Sequence, residues 1–188
     1  MNRRELIRNL GVTAAATVLW QSLPVKSWGA LPATAGWTEV EEGLLTAIGD
    51  TLLPTTADSP GAASVHVGRF VTLMLTDCHS PETTLRAKAY LERFQSWIRT
   101  QHSGGSFGSL TASQREKAWI RWEEPLLASP SSIEINRDAV LHRTLKGLLL
   151  LGYFSSEPGA TQALRYDPVP GAFRGDVPLG PADRAWAM

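Results

Sequence analysis

"WTEVEEGLLTAIGDTLLP", residues 37–54, places Thr38 and Glu41 three positions apart. At that spacing each side chain can bond the other's backbone amide at the start of a helix. Val40, Leu44, Ile48 and Leu52 then recur every fourth residue, which draws one apolar stripe along a helix. Pro54 has no amide to donate and closes the segment. The stretch therefore predicts an amphipathic helix, and the chain on either side extends the same reading.

Downstream, "TTADSPGAA" (55–63) is a connector of turn-forming residues. Val67, Phe70, Val71, Met74 and Leu75 predict a second helix ending near Cys78. Ser80, Pro81 and Glu82 supply a cap, a first-turn proline and a first-turn acid for a third, in which Leu85, Ala89, Phe94, Trp97 and Ile98 share a face. "HSGGSFGS" (102–109) ends it. Thr111 and Gln114 form another capping pair before a fourth helix that points Ala118, Trp119 and Trp122 inward, its length limited by Pro125. A last helix is predicted over about 135–151, with Val140, Leu141, Thr144, Leu145, Leu148 and Leu151 buried and Leu149 and Leu150 widening the stripe.

No alternation long enough for a strand occurs. The expected fold is all-α, a single compact domain of about five helices. The expected organisation is a leader over 1–35, a helical domain over 36–165, and an irregular tail over 166–188 rich in proline and glycine.

Composition supports one packed domain: 188 residues, 43% of them hydrophobic, with seven tryptophans. Eighteen basic residues balance eighteen acidic ones, but the first 35 residues hold four basic against one acidic, so they carry +3 and the remainder −3. A mildly acidic body lacks the Lys/Arg excess that neutralises a run of phosphates, which excludes nucleic-acid binding.

The basic start, "MNRRELIRNLGVTAAATVLW" (1–20), has adjacent Arg3 and Arg4 followed by a short apolar stretch. Ala33-Thr34-Ala35 offers the small residues of a signal-cleavage site, with a mature start at Gly36. This is the pattern of an export signal, and "NRRELIR" resembles the twin-arginine type, which points to the twin-arginine translocase and a periplasmic destination. The other reading is a first helix retained in the fold. The apolar stretch is well short of the roughly 20 residues a spanning helix needs.

The chemistry-bearing motifs are sparse. Neither a dinucleotide-binding glycine turn nor a phosphate-binding loop is present. His66, His79, His102 and His142 lack metal-ligand spacing, and each reads as a surface or capping histidine. Ser155 or Ser156 with His142 and Asp167 would make a hydrolase set, without a nucleophile elbow to support it. Trp97, Trp119 and Trp122 read as a core layer or, in a stand-alone binding protein, as a ligand platform. Cys78 is the single cysteine, which excludes an internal disulfide and leaves burial or an intersubunit disulfide.

"LLLLGYFSSEPGATQALRYDPVPG" (148–171), the arginine-rich leader, and "AIGDTLLP" followed by "FVTLMLTDC" together resemble the gluconate 2-dehydrogenase subunit 3 family. The specific residues are Gly152-Tyr153-Phe154, Ser156-Glu157, Gly159-Ala160-Thr161 and Tyr166-Asp167-Pro168-Val169-Pro170-Gly171. The resemblance implies a non-catalytic small subunit that binds no cofactor directly. FAD and the oxidation of a sugar, sugar acid or polyol would lie in a glucose-methanol-choline-type (GMC-type) large subunit. A multihaem cytochrome c subunit would pass the electrons onward at the inner membrane. The small subunit would support maturation of the large one and carry it through the twin-arginine route. Tyr153, Phe154, Tyr166, Pro168 and Pro170 combine apolar area with little conformational freedom, as a docking surface requires, and Glu157 and Asp167 join them. Tyr153 and Phe154 could instead pack beneath their own helix. "GDVPLGPADRAWAM" (175–188) matches no feature of the family.

Overall fold

A computed structural model describes residues 27–127, 137–169, 171, 176, 178, 180 and 183–187. Five helices organise it: α1 (Glu39–Leu52), α2 (Val67–Asp77), α3 (Pro81–Gln101), α4 (Ala112–Leu127) and α5 (Arg137–Phe154). Among the described residues there is no strand, only an isolated parallel bridge between Arg165 and Trp186. The fold is all-α.

Local chemistry explains several boundaries. The Thr38 hydroxyl accepts from the Glu41 amide and the Glu41 carboxylate accepts from the Thr38 amide, so the α1 capping box is complete. The Thr111 and Gln114 pair repeats it at α4. At α3, the Ser80 hydroxyl caps the Thr83 amide and Pro81 opens the first turn. The same helix ends with Ser103 in the left-handed region at φ 51°, and the Gly104 amide reaches back to the Arg99 carbonyl.

α1 and α2 cross most closely. A Cβ on Gly68 would lie 2.1 Å from the Glu42 carbonyl oxygen, so the glycine lets the two backbones meet. α5 then covers α2 at Gly152, where a Cβ would lie 2.5 Å from Phe70. The core of this half holds Leu45, Ile48, Val67, Val71, Leu75 and Leu149, all buried. Each such side chain contributes about 1.5–3 kcal/mol over leaving it exposed.

The other half is aromatic. Phe94 on α3 meets Phe107 at 5.0 Å, Trp119 at 5.7 Å and Trp122 at 5.3 Å, all edge-on. The tryptophan cluster is therefore a core layer. The Gln95 side chain accepts from the Phe107 amide and holds the 107–109 turn over it.

Several expected faces are rotated. Val40 (73% exposed) and Leu85 (68%) face solvent, as do Ala89, Val140 and Leu151, while Ala87, Tyr90 and Leu91 take the buried side of α3. A single stripe at four-residue spacing drifts around a helix of 3.6 residues per turn, so its ends leave the core. Pro125 lies inside α4 rather than ending it.

His142 is not a surface or capping residue. It is 1% exposed, because α5 turns that face toward Tyr90 and Trp119. Residues 27–37, expected to lie partly in a removable leader, pack on the domain through Trp28, Leu31 and Thr34.

Candidate functional site

The stretch that the sequence offers as a docking surface begins where α5 ends. Tyr153 is 2% exposed, and its hydroxyl donates to the Pro60 carbonyl at 2.6 Å, so it belongs to the core and not to a free surface. The helix phase decides this, since Tyr153 follows Leu145 and Leu149 on the inward face. Phe154 packs edge-on to it at 5.1 Å and is half-buried.

The next residues form a cap. The buried Ser156 hydroxyl donates to the Tyr153 carbonyl at 2.6 Å and accepts from the Gly159 amide at 3.2 Å. A Cβ on Gly159 would lie 1.9 Å from that same carbonyl oxygen, so only glycine fits. A wide turn over Gly159–Ala163 follows, closed by the Leu164 amide on the Gly159 carbonyl. Glu157 is exposed, with its backbone carbonyl bonded by the Thr161 hydroxyl.

Beyond the cap the chain turns outward. Tyr166 is 54% exposed and Val169 is 78% exposed. The Asp167 carboxylate accepts from the Val169 amide at 3.1 Å and so sets the turn through Pro168. Pro170 lies outside the described residues.

A clasp that the sequence reading left without a role closes this loop. The Arg165 amide donates to Ala185, and the Ala187 amide donates to Arg165, both at 2.8 Å. The Arg165 guanidinium lies 4.1 Å over the Trp186 ring. The lone tryptophan in a Pro/Gly-rich tail is the signal that could have marked it. Tyr166, Val169 and half-exposed Trp186 thus present apolar area around a loop tied at both ends.

The hydrolase set does not assemble. His142 and Ser156 lie fourteen residues apart along α5 and its end, roughly 20 Å at 1.5 Å per residue. The His142 Nδ1 is engaged by Tyr90, Ser156 by backbone, and Asp167 by Val169.

His142 instead centres a buried polar chain that the sequence did not reveal. Trp122 Nε1 donates to the Tyr90 hydroxyl at 2.6 Å, and that hydroxyl in turn pairs with His142 Nδ1 at 2.7 Å. Its Nε2 lies 3.3 Å from Glu123 Oε1 but off the line of a good hydrogen bond. Lys146 binds the same carboxylate oxygen at 2.5 Å. Burial pushes the His142 pKa down from 6.5 against the pull of Glu123. Burial pushes the Tyr90 hydroxyl well up. At Glu123 burial works upward, yet the hydrogen bond from Lys146 and the nearby His142 ring prevail and hold its carboxyl below the ordinary value.

A groove of about 410 Å³ between α3 and α4 is lined by Trp97, Ala118 and Ile120, with Trp119 and Trp122 turned into the core. Cys78 is exposed at the end of α2, not buried as a small apolar residue. Ala33 and Ala35 flank buried Thr34, and Arg3 and Arg4 lie outside the described residues. Among the described residues, no three His, Cys, Asp or Glu side chains gather into a metal-holding group, and no helix is long and apolar enough to cross a membrane.

The family model for gluconate 2-dehydrogenase subunit 3 matches residues 39–171, well over half of the chain. This chain belongs to the gluconate 2-dehydrogenase subunit 3 family. Membership places it among the accessory subunits of dehydrogenase complexes. Searches of curated proteins and of solved structures each return no significant match. In this subunit 3 chain the matched region runs from α1 through the Tyr166–Val169 turn, and the Trp186 side of the clasp lies beyond it.

Proposed function

We propose that this subunit 3 chain is the non-catalytic partner of an FAD-containing GMC-type dehydrogenase subunit. It binds that flavoprotein, supports its maturation and escorts it through the twin-arginine translocase. The assembled complex oxidises a sugar, sugar acid or polyol at the periplasmic face of the inner membrane and delivers electrons to a multihaem cytochrome c subunit. FAD and haem belong to those partners.

Family membership supports the accessory role. The observation that carries the docking reading is the exposed trio of Tyr166, Val169 and Trp186 on a loop closed by the Arg165 clasp. Aromatic side chains beside a backbone clasp bury large area at little ordering cost. Asp167 and Pro168 lie within the same turn, whereas Tyr153 contributes from beneath by holding the end of α5, next to Phe154.

Co-expression with the flavoprotein tests the reading. The two chains should co-purify, with FAD bound in the large one. Lysine at both Arg3 and Arg4 should strand the flavoprotein in the cytoplasm, measured by fractionation and flavin absorbance. Normal export of the flavoprotein from that double variant would overturn the escort role.

A further inference from the structure

Ala33-Thr34-Ala35 suits a processing enzyme by composition, yet the residues just before it are built into the domain. Trp28 lies in a short turn, Trp28–Ala30, with its ring 4.8 Å from Phe70 of α2. Its indole N–H donates at 2.8 Å to the carbonyl of Gly152, in the last turn of α5. Carbonyls there have no amide ahead of them in the helix, so the indole supplies the donor that the helix cannot.

Five further hydrogen bonds follow. The Ser27 hydroxyl meets His66 Nδ1 at 2.9 Å, and Gly29 lies flat on that imidazole, where a Cβ would come within 2.9 Å. Arg69 donates at 3.2 Å to the Leu31 carbonyl while pairing with Glu42 at 2.7 Å. Thr34, 8% exposed, accepts from the wholly buried Thr72 hydroxyl at 3.1 Å. The Trp37 amide closes a turn onto the Thr34 carbonyl, and the Lys88 ammonium donates to the Gly36 carbonyl. The Ala35–Gly36 bond therefore lies in a turn between two anchored residues.

We infer that residues 27–35 are a permanent strap of the mature domain and that removal of the N-terminal segment, where it occurs, stops before Ser27. A peptidase must draw the bond it cuts into its cleft as extended chain. At Ala35 that would require the Thr34 and Trp37 anchors to let go together. A cut there would also uncover Phe70 and take one acceptor from Arg69, whose Nε is already buried without a partner. Upstream of Ser27 a cut would leave every one of these contacts in place. The strap does not depend on the partner proposed above, since all its contacts are within this chain.

Intact-mass measurement on the full chain, expressed in an export-competent bacterium and purified from it, tests the inference. A mass that begins at or before Ser27, the unprocessed chain included, is expected. A mass beginning at Gly36 overturns it. In the same full-length chain, Trp28→Ala should lower Tm by about 5 °C or more, and Trp28→Phe, which keeps the ring and loses the indole donor, by less. An unchanged Tm in Trp28→Ala would show that the strap is not part of the working domain. Both readouts use this chain alone, so they stand or fall separately from complex formation.

Discussion

At Gly159 a methyl group would meet the Tyr153 carbonyl oxygen at 1.9 Å, and backbone cannot step aside as a flexible side chain can. Gly159→Ala should therefore destabilise the protein by about 3 kcal/mol, the upper part of the range for overpacking, read as a lower urea midpoint. His142 gives the second prediction at this scale. Its pKa is depressed in the folded state, so the unfolded chain takes up the proton first as pH falls. Stability is complete above about 6.5 and declines below it; the depressed Glu123 carboxyl adds a further loss below 4.5. Tm should fall between pH 7 and pH 5, and His142→Gln, neutral throughout, should flatten that fall. An equally steep fall in the variant would remove His142 as the cause. Neither contact was legible at residue level in the sequence, where Gly159 stood out only through the family resemblance and His142 read as a surface or capping histidine.

Helix starts, by contrast, are local chemistry, and three of them were legible. Thr38 with Glu41, Ser80 with Pro81, and Thr111 with Gln114 each mark a real N-terminus. Thr38→Ala should cost about 1 kcal/mol in chemical denaturation, because the exchange leaves the Glu41 amide without its acceptor. Faces were less legible than ends. Val40 and Leu85 are apolar and exposed, while Glu42 and Thr72 are polar and buried, paired with Arg69 and with Thr34. Hydrophobic spacing reports which residues favour burial, but a partner across the gap determines which polar residues are accepted there.

Over the whole molecule, the ties between distant segments are what hold the loop proposed to dock. Tyr153 joins α5 to Pro60, and Arg165 with Trp186 joins the end of the wide turn to the tail. Trp186→Ala should loosen the loop while leaving the core intact. Affinity for the flavoprotein subunit should drop at least tenfold, about 1.4 kcal/mol, with Tm nearly unchanged, as titration of the purified partner and a thermal scan would show. Unaltered affinity would remove the clasp from the docking face.

The sequence by itself determined that this is an all-α chain, with three of its helix starts marked by caps, and carried the residues by which it belongs to its family, because capping and apolar periodicity act within a few residues of chain. Only the tertiary structure decided that Tyr153 and His142 face inward, that Trp28 straps the N-terminal approach onto α5, and that Trp186 closes the loop holding Tyr166. Each of these depends on a contact between segments from about 20 to more than 120 residues apart, which no local spacing encodes.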